Sequence, residues 1–252
     1  MNILLIDIGN TNTHLGLGSD KRVRKQADVP TLHTTRDGKW VRRFLGATRI
    51  DGCMIASVVP KATPAISAQV LGHSGTQALV LRHSLDLGIG IRYPKPGQIG
   101  ADRLANAVAL THLYGAPGVV VDFGTAVTFD IVNDHKEYIG GVIAPGLAAM
   151  TTYLHERTAQ LPAIQIREPH SVVGKNTVDA MQIGAVHGYR GLIREILAEV
   201  KHELRVPRLR VVATGGYAEL IARRLPEIQE VNQLLTLEGL RLIYLRNRPV
   251  GE

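Results

Sequence analysis

Two short stretches of this 252-residue chain carry an aspartate, a glycine and hydroxyl-bearing residues at matching offsets. The first is Asp7-Ile8-Gly9-Asn10-Thr11-Asn12-Thr13, and the second is Asp122-Phe123-Gly124-Thr125-Ala126-Val127-Thr128. Backbone N–H groups in a glycine-containing turn form a concave anion site, and Thr or Asn side chains add donors. An aspartate at the mouth of such a turn repels phosphate directly but holds a cation that binds it. Two such turns suit a nucleoside triphosphate and its metal. Two ordinary β-hairpins with Asn/Gly turns would use the same residue types. Repetition of Asp, Gly and Thr at equal offsets favours the phosphate reading, because a turn motif is confirmed by context.

The elements around these stretches are those needed to present them. Ile3-Leu4-Leu5-Ile6 runs into Asp7 as an apolar strand, and Val119-Val120-Val121 runs into Asp122 in the same way. The spacing predicts returning strands over residues 13–18 and after Ala126. It predicts a further strand over 22–29, a helix over 38–47 with Trp40, Val41, Phe44 and Leu45 on one side, and strands over 53–59 and 78–81. A Gly/Pro-rich loop over 87–101 carries Tyr93 and leads to Gly100-Ala101-Asp102-Arg103 at the start of a helix ending near Gly115. Asp102 has two open readings there, a helix cap or a general base. Beyond a strand over 138–143, helices are expected over 147–158, with Leu147, Met150, Tyr153 and Leu154 on one face, over 177–204, over 217–225 and over 237–245. Gly184, Gly188 and Gly191 inside the long helix imply either a close approach or a kink. A strand over 210–213 runs into Thr214-Gly215-Gly216, a turn that lets a flat ligand approach the backbone. Alternating strands and helices indicate an α/β fold, divided at 1–115 and 116–252.

Composition narrows the classes. Hydrophobic residues make up 45% and charged residues 20%, which permits a sizeable core. One cysteine, Cys53 in an apolar run, excludes an internal disulfide scaffold and favours a cytoplasmic location. Asp7, Gly9 and Asn10 interrupt the first apolar run, so no signal peptide is expected, and no run reaches membrane-spanning length. The formal charge of +7 attracts anions, but the basic residues are spread out and no aromatic-interleaved stripe supports a nucleic-acid groove. Walker A, complete G-x-G-x-x-G, H-E-x-x-H and G-x-S-x-G patterns are missing, which disfavours dehydrogenase, zinc hydrolase and serine hydrolase chemistry.

The duplicated Asp-x-Gly turns with the later Thr-Gly-Gly resemble the superfamily of sugar kinases, heat-shock chaperone ATPases and actin. Within it, the ordered series Asp7-Ile8-Gly9-Asn10-Thr11, Tyr93, Gly100-Ala101-Asp102-Arg103, Asp122-Phe123-Gly124-Thr125-Ala126, Pro145-Gly146, Asn176-Thr177 and Thr214-Gly215-Gly216 resembles a type III pantothenate kinase over essentially the whole chain. The resemblance implies two duplicated actin-like (ribonuclease H-like) domains with the active site in the cleft between them. It implies ATP-dependent phosphorylation of pantothenate at its primary hydroxyl, the first step of coenzyme A synthesis, by a cytoplasmic homodimer that needs Mg2+ with ATP and a monovalent cation, K+ or NH4+. Residue by residue, it implies ATP contacts at Asp7, Ile8, Gly9, Asn10, Thr11, Asn12, Thr13, His14 and Thr125. Tyr93, Gly100, Ala101, Asp102, Arg103 and Thr177 would contact pantothenate. Asp102 would be the proton acceptor and Asp122 the monovalent-cation ligand. No membrane or nucleic-acid partner is expected. The rival readings are another kinase or polyphosphatase of the superfamily, or a non-enzymatic regulator that uses the basic charge to bind nucleic acid.

Overall fold

The computed structural model describes residues 1–248. The chain divides into two compact units. Among the described residues the first comprises Met1–Tyr114, His135–Ile139 and 234–248; the second comprises Gly115–Asp134 and Gly140–Gln233.

In the first unit, β1 (Ile3–Ile8), β2 (Asn12–Gly18) and β3 (Val23–Pro30) form an antiparallel meander, followed by α1 (Thr31–Thr34) and α2 (Lys39–Leu45). β4 (Gly52–Ser57), α3 (Thr63–Ser74) and β5 (Ala78–Val80) extend the sheet in parallel, in the order β3-β2-β1-β4-β5. The alternation of β1 explains its burial on both faces. Leu4, Ile6 and Ile8 join the core formed with Trp40, Val41, Phe44 and Leu45 of α2 and Ile66 and Val70 of α3. Leu5 and Asp7 point to the other face. The short β6 (Gly90–Ile91) and α4 (Ala101–Leu113) complete this part of the chain.

The second unit repeats the scheme. β7 (Gly118–Phe123), β8 (Ala126–Val132) and β9 (Glu137–Pro145) precede α5 (Leu147–Arg157) and α6 (Thr177–Leu204), then β10 (Arg210–Thr214), α7 (Ala218–Ala222) and β11 (Glu230–Val231). The strand order β9-β8-β7-β10-β11 mirrors that of the first unit, with β7 antiparallel to β8 and parallel to β10. Val119, Val121 and Phe123 pack on Val186, Tyr189 and Ile193 of α6, which leaves Asp122 on the opposite face. Asp7 and Asp122 thus occupy equivalent places at the end of a central strand, and the expected duplicated α/β architecture is present.

Three features depart from the sequence expectations. The expected division at residue 115 runs linearly, whereas α8 (Leu235–Asn247) groups with the first unit. It packs on α4 and β1, and a Cβ at Gly239 would fall inside the Ala105 carbonyl, so a side chain there would hold the two helices apart. The helix expected over 217–225 covers only Ala218–Ala222. The apolar face expected for 147–158 buries Leu147 but leaves Met150, Tyr153 and Leu154 exposed, Tyr153 at 64%.

Candidate functional site

The first turn begins where β1 ends. Asp7 is buried and lies opposite His14 of β2 on one side and Ala56 of β4 on the other. The Gly9 N–H donates to the Asn12 carbonyl at 3.0 Å, which closes the turn, and leaves Asn10, Thr11 and Asn12 exposed. The His14 ring nitrogen Nδ1 lies 2.7 Å from Asp28 Oδ1 on β3. Beneath the turn is a set of buried hydroxyls. Thr31 Oγ1 donates to the Gly9 carbonyl at 2.7 Å, and the Thr31 N–H donates to the Thr11 carbonyl at 2.9 Å. Thr13 Oγ1 lies 3.1 Å from Thr31 Oγ1 and 3.2 Å from Thr34 Oγ1. The Thr13 side chain therefore faces inward, away from the exposed rim of the turn. The sequence marks a strand over 22–29 but nothing at Thr31 and Thr34, which lie 18 and 21 residues from Thr13 and have no local pattern to announce them.

The first unit also carries the residues expected around the accepting hydroxyl. Gly100 occupies the N-cap position of α4, and Asp102 lies in the first turn, where its carboxylate also satisfies a free helix N–H. Its Oδ1 accepts a hydrogen bond from the Arg103 N–H at 2.8 Å. Burial pushes the Asp102 carboxyl above the ordinary aspartate value, against the opposing pull of that hydrogen bond and of the Arg103 charge. A carboxylate raised in this way is better matched to accepting a proton near neutral pH than a solvated one. Arg103 lies with its guanidinium carbon 5.8 Å from the centre of the Tyr138 ring, and Tyr93 meets the same ring edge-on at 6.2 Å. Tyr138, which sequence reasoning treated only as the start of a strand, joins two of the expected substrate contacts. The register that pairs Gly90 with Glu137 and Ile91 with Tyr138 brings it there.

The second turn has its own supports. Asp122 lies opposite Thr128 on β8 and Thr214 on β10. Gly215 has φ +90°, and a Cβ on it would stand 2.7 Å from Asp122 Oδ1 and from the Phe123 backbone, so only glycine fits. The Gly146 N–H donates to the Thr125 carbonyl at 3.2 Å, and the Tyr189 hydroxyl holds the Pro145 carbonyl at 3.1 Å. Gly124 and Thr125 remain exposed. Thr177 is exposed at the first position of α6, where Asn176 caps the helix by accepting from the Asp179 N–H at 2.9 Å. Tyr93, Gly100, Ala101, Asp102 and Arg103 are thus gathered in the first unit, while Thr125, Asp122 and Thr177 belong to the second.

Among the described residues no cluster of three or more His, Cys, Asp or Glu side chains forms a ready-made metal cage, and no helix is long and apolar enough to cross a membrane. A site with one or two carboxylates suits Mg2+ that arrives with phosphate oxygens as its other ligands.

Comparison with known proteins bears on family and fold. The family model described as type III pantothenate kinase matches residues 3–199. A type III pantothenate kinase of Akkermansia muciniphila is 48% identical over 96% of this chain and 98% of its own length. One from Methylacidiphilum infernorum is 41% identical over 96% of this chain and 87% of its own length. Among solved structures, a Baf family protein from Campylobacter jejuni has a TM-score of 0.62 at 22% identity, covering 97% of this chain and 98% of that one. The activator of the 2-hydroxyisocaproyl-CoA dehydratase from Clostridium difficile, solved with ADPNP, has a TM-score of 0.54 at 12% identity, covering 97% and 93%. The structural likenesses bear on the fold, which is that of two actin-like domains, and the sequence relatives decide the family. The chain belongs to the type III pantothenate kinase family.

Proposed function

We propose that this protein transfers the γ-phosphoryl group of ATP to the primary hydroxyl of pantothenate, the first step of coenzyme A synthesis, in the cytoplasm and as a homodimer. Family membership supports the reaction. The observation that carries its site is the grouping of Asp102, Arg103 and Tyr93 around the start of α4 and the Tyr138 ring.

Phosphoryl transfer asks a protein mainly for positioning and charge stabilisation. Asp102 takes the proton of the attacking hydroxyl, and its half-buried carboxyl is made more basic by burial. Arg103 pairs with the carboxylate of pantothenate, because a planar guanidinium presents two parallel donors to a carboxylate. Its placement over the Tyr138 ring holds that plane in orientation. The turns 7–13 and 124–125 supply donors to the phosphates of ATP. Mg2+, held by phosphate oxygens, and a monovalent cation, held by Asp122 and neighbouring carbonyls, offset negative charge on the transferring group when bound.

The homodimer rests on apolar surface in the second unit. Met150, Tyr153 and Leu154 of α5, with Val172, Val173 and Val178, are exposed, and Gly184, Gly188 and Gly191 give α6 a smooth outer stripe that no other element among the described residues approaches within 4 Å of a side-chain position. Exposed apolar residues of this kind support an interaction site on this unit. The deciding experiment is ADP release with pantothenate and Mg·ATP, with and without K+. Pantothenate-dependent, K+-dependent turnover supports the reading. Folded protein without such turnover in any salt overturns it, and salt-sensitive DNA binding without ATP turnover would favour the regulator instead.

A further inference from the structure

The three buried threonines beneath the first turn can be followed proton by proton. Each hydroxyl has one hydrogen to donate. That of Thr31 goes to the Gly9 carbonyl at 2.7 Å, and that of Thr34 goes to the Thr31 carbonyl at 2.8 Å. Thr13 must therefore donate into the oxygen of Thr31 or Thr34, the only direction left for contacts of 3.1 and 3.2 Å. When it donates to Thr31, the chain runs Thr13 to Thr31 to Gly9, and donation in series strengthens the last bond. All three side chains are buried: Thr13 and Thr34 at 0% exposure and Thr31 at 6%. The far end is anchored too, since Trp40 Nε1 donates to the Thr34 carbonyl at 3.0 Å and to Gln69 Oε1 at 2.7 Å.

The consequence lies on the other side of the Gly9–Asn10 peptide. That peptide is trans, because the cis bond of the described chain is Ala116-Pro117. In a trans peptide the C=O and the following N–H point in opposite directions. With the Gly9 carbonyl drawn inward to Thr31, the Asn10 N–H is aimed outward, and it has no protein acceptor among the described residues. The Thr31 N–H draws the Thr11 carbonyl inward as well, so the turn is pinned at both ends.

We infer that Thr31 is a positioning residue for nucleotide binding: its hydroxyl fixes the Gly9–Asn10 peptide so that the Asn10 N–H is presented to a phosphate oxygen of the nucleotide. This rests on the reading of residues 7–13 as a phosphate turn. Thr31 touches no ligand and acts only through the peptide it orients.

The test is calorimetric binding of a non-hydrolysable Mg·ATP analogue, together with the KM values for ATP and pantothenate, for wild type, Thr31→Val, Thr31→Ser and Thr34→Val. Loss of an oriented donor to a charged phosphate predicts about tenfold weaker analogue binding and a matching rise in the ATP KM for Thr31→Val. The pantothenate KM should stay within about twofold, Thr31→Ser should recover wild-type binding, and Thr34→Val should bind normally because the Thr31–Gly9 bond survives in it. Wild-type affinity in folded Thr31→Val, an equal loss in Thr34→Val, or no recovery in Thr31→Ser overturns the inference. If Thr31→Val does not fold, the wild type decides: the Asn10 amide should gain hydrogen-exchange protection when the Mg·ATP analogue is added, and an unchanged Asn10 overturns the inference. If wild type ignores pantothenate but Thr31→Val still binds the analogue weakly, the inference stands and the pantothenate reading fails. If wild type phosphorylates pantothenate and Thr31→Val binds normally, the reverse holds.

Discussion

Replacing Asp102 by Asn separates the chemistry of this residue from its energetics. The amide keeps the shape of the carboxylate and an oxygen that can still accept the 2.8 Å hydrogen bond from the Arg103 N–H, so local geometry should survive. What disappears is the basicity. A positioned general base contributes about 10²–10⁴ in rate, or roughly 2.7–5.5 kcal/mol of barrier, so kcat should fall by that factor with little change in the ATP KM. Stability should move the other way. Burial raises the folded-state pKa of Asp102 above its ordinary value, so in the window between the two values the folded protein binds more protons than the unfolded chain. Stability contributed by the protonated acid is therefore full below the ordinary aspartate range and is lost as pH rises through the folded-state value. At neutral pH the ionised, half-buried carboxylate is a liability that the amide lacks. Asp102→Asn should consequently melt above wild type at pH 7, with the gain shrinking as the pH is lowered toward the ordinary aspartate range. The assays are ADP release and thermal melting across pH. Turnover within threefold of wild type refutes the general-base role. A mutant that melts below wild type at pH 7 refutes the desolvation argument, even if its activity is gone.

Three further outcomes follow from other parts of the fold. Arg103→Lys replaces a plane seated over Tyr138 with a point charge, so the pantothenate KM should rise about tenfold while the ATP KM stays unchanged; equal shifts in both would refute a substrate-specific role. Gly239→Ala places a methyl against the Ala105 backbone and should lower unfolding stability by about 1–3 kcal/mol, seen as a lower urea midpoint, whereas an unchanged midpoint would show that α4 and α8 can separate freely. Tyr153→Glu, on the exposed apolar face of α5, should yield a monomer in light scattering; a dimer that survives this change together with Val172→Glu would place the subunit contact elsewhere.

The strands and turns that carry Asp7 and Asp122 were readable because their causes are local. An apolar run makes the strand, glycine and a hydroxyl or amide residue make the turn, and the whole device fits within a dozen residues. The helix over 177–204 was readable to its ends for a similar reason: Asn176 caps it through its own third neighbour, and its buried positions recur at helical spacing. The supports of the first turn obey no such rule. Thr31 is defined by a carbonyl 22 positions earlier, and four residues of helix give no periodicity to detect. Tyr138 meets Arg103 and Tyr93 only because a two-residue strand pairs in one register. The return of α8 to the first unit rests on long-range packing, including the close approach of Gly239 to the Ala105 backbone. A sequence therefore displays the turns proposed to meet phosphate, since those turns need special backbone and special donors in one place. It conceals the parts that aim them, since aiming requires only an ordinary hydroxyl or ring delivered by the fold to the right atom. The Thr31 and Thr34 variants test that division directly: both break a buried hydrogen bond of similar length in one network, and only the one pointed at the Gly9 peptide should change nucleotide affinity.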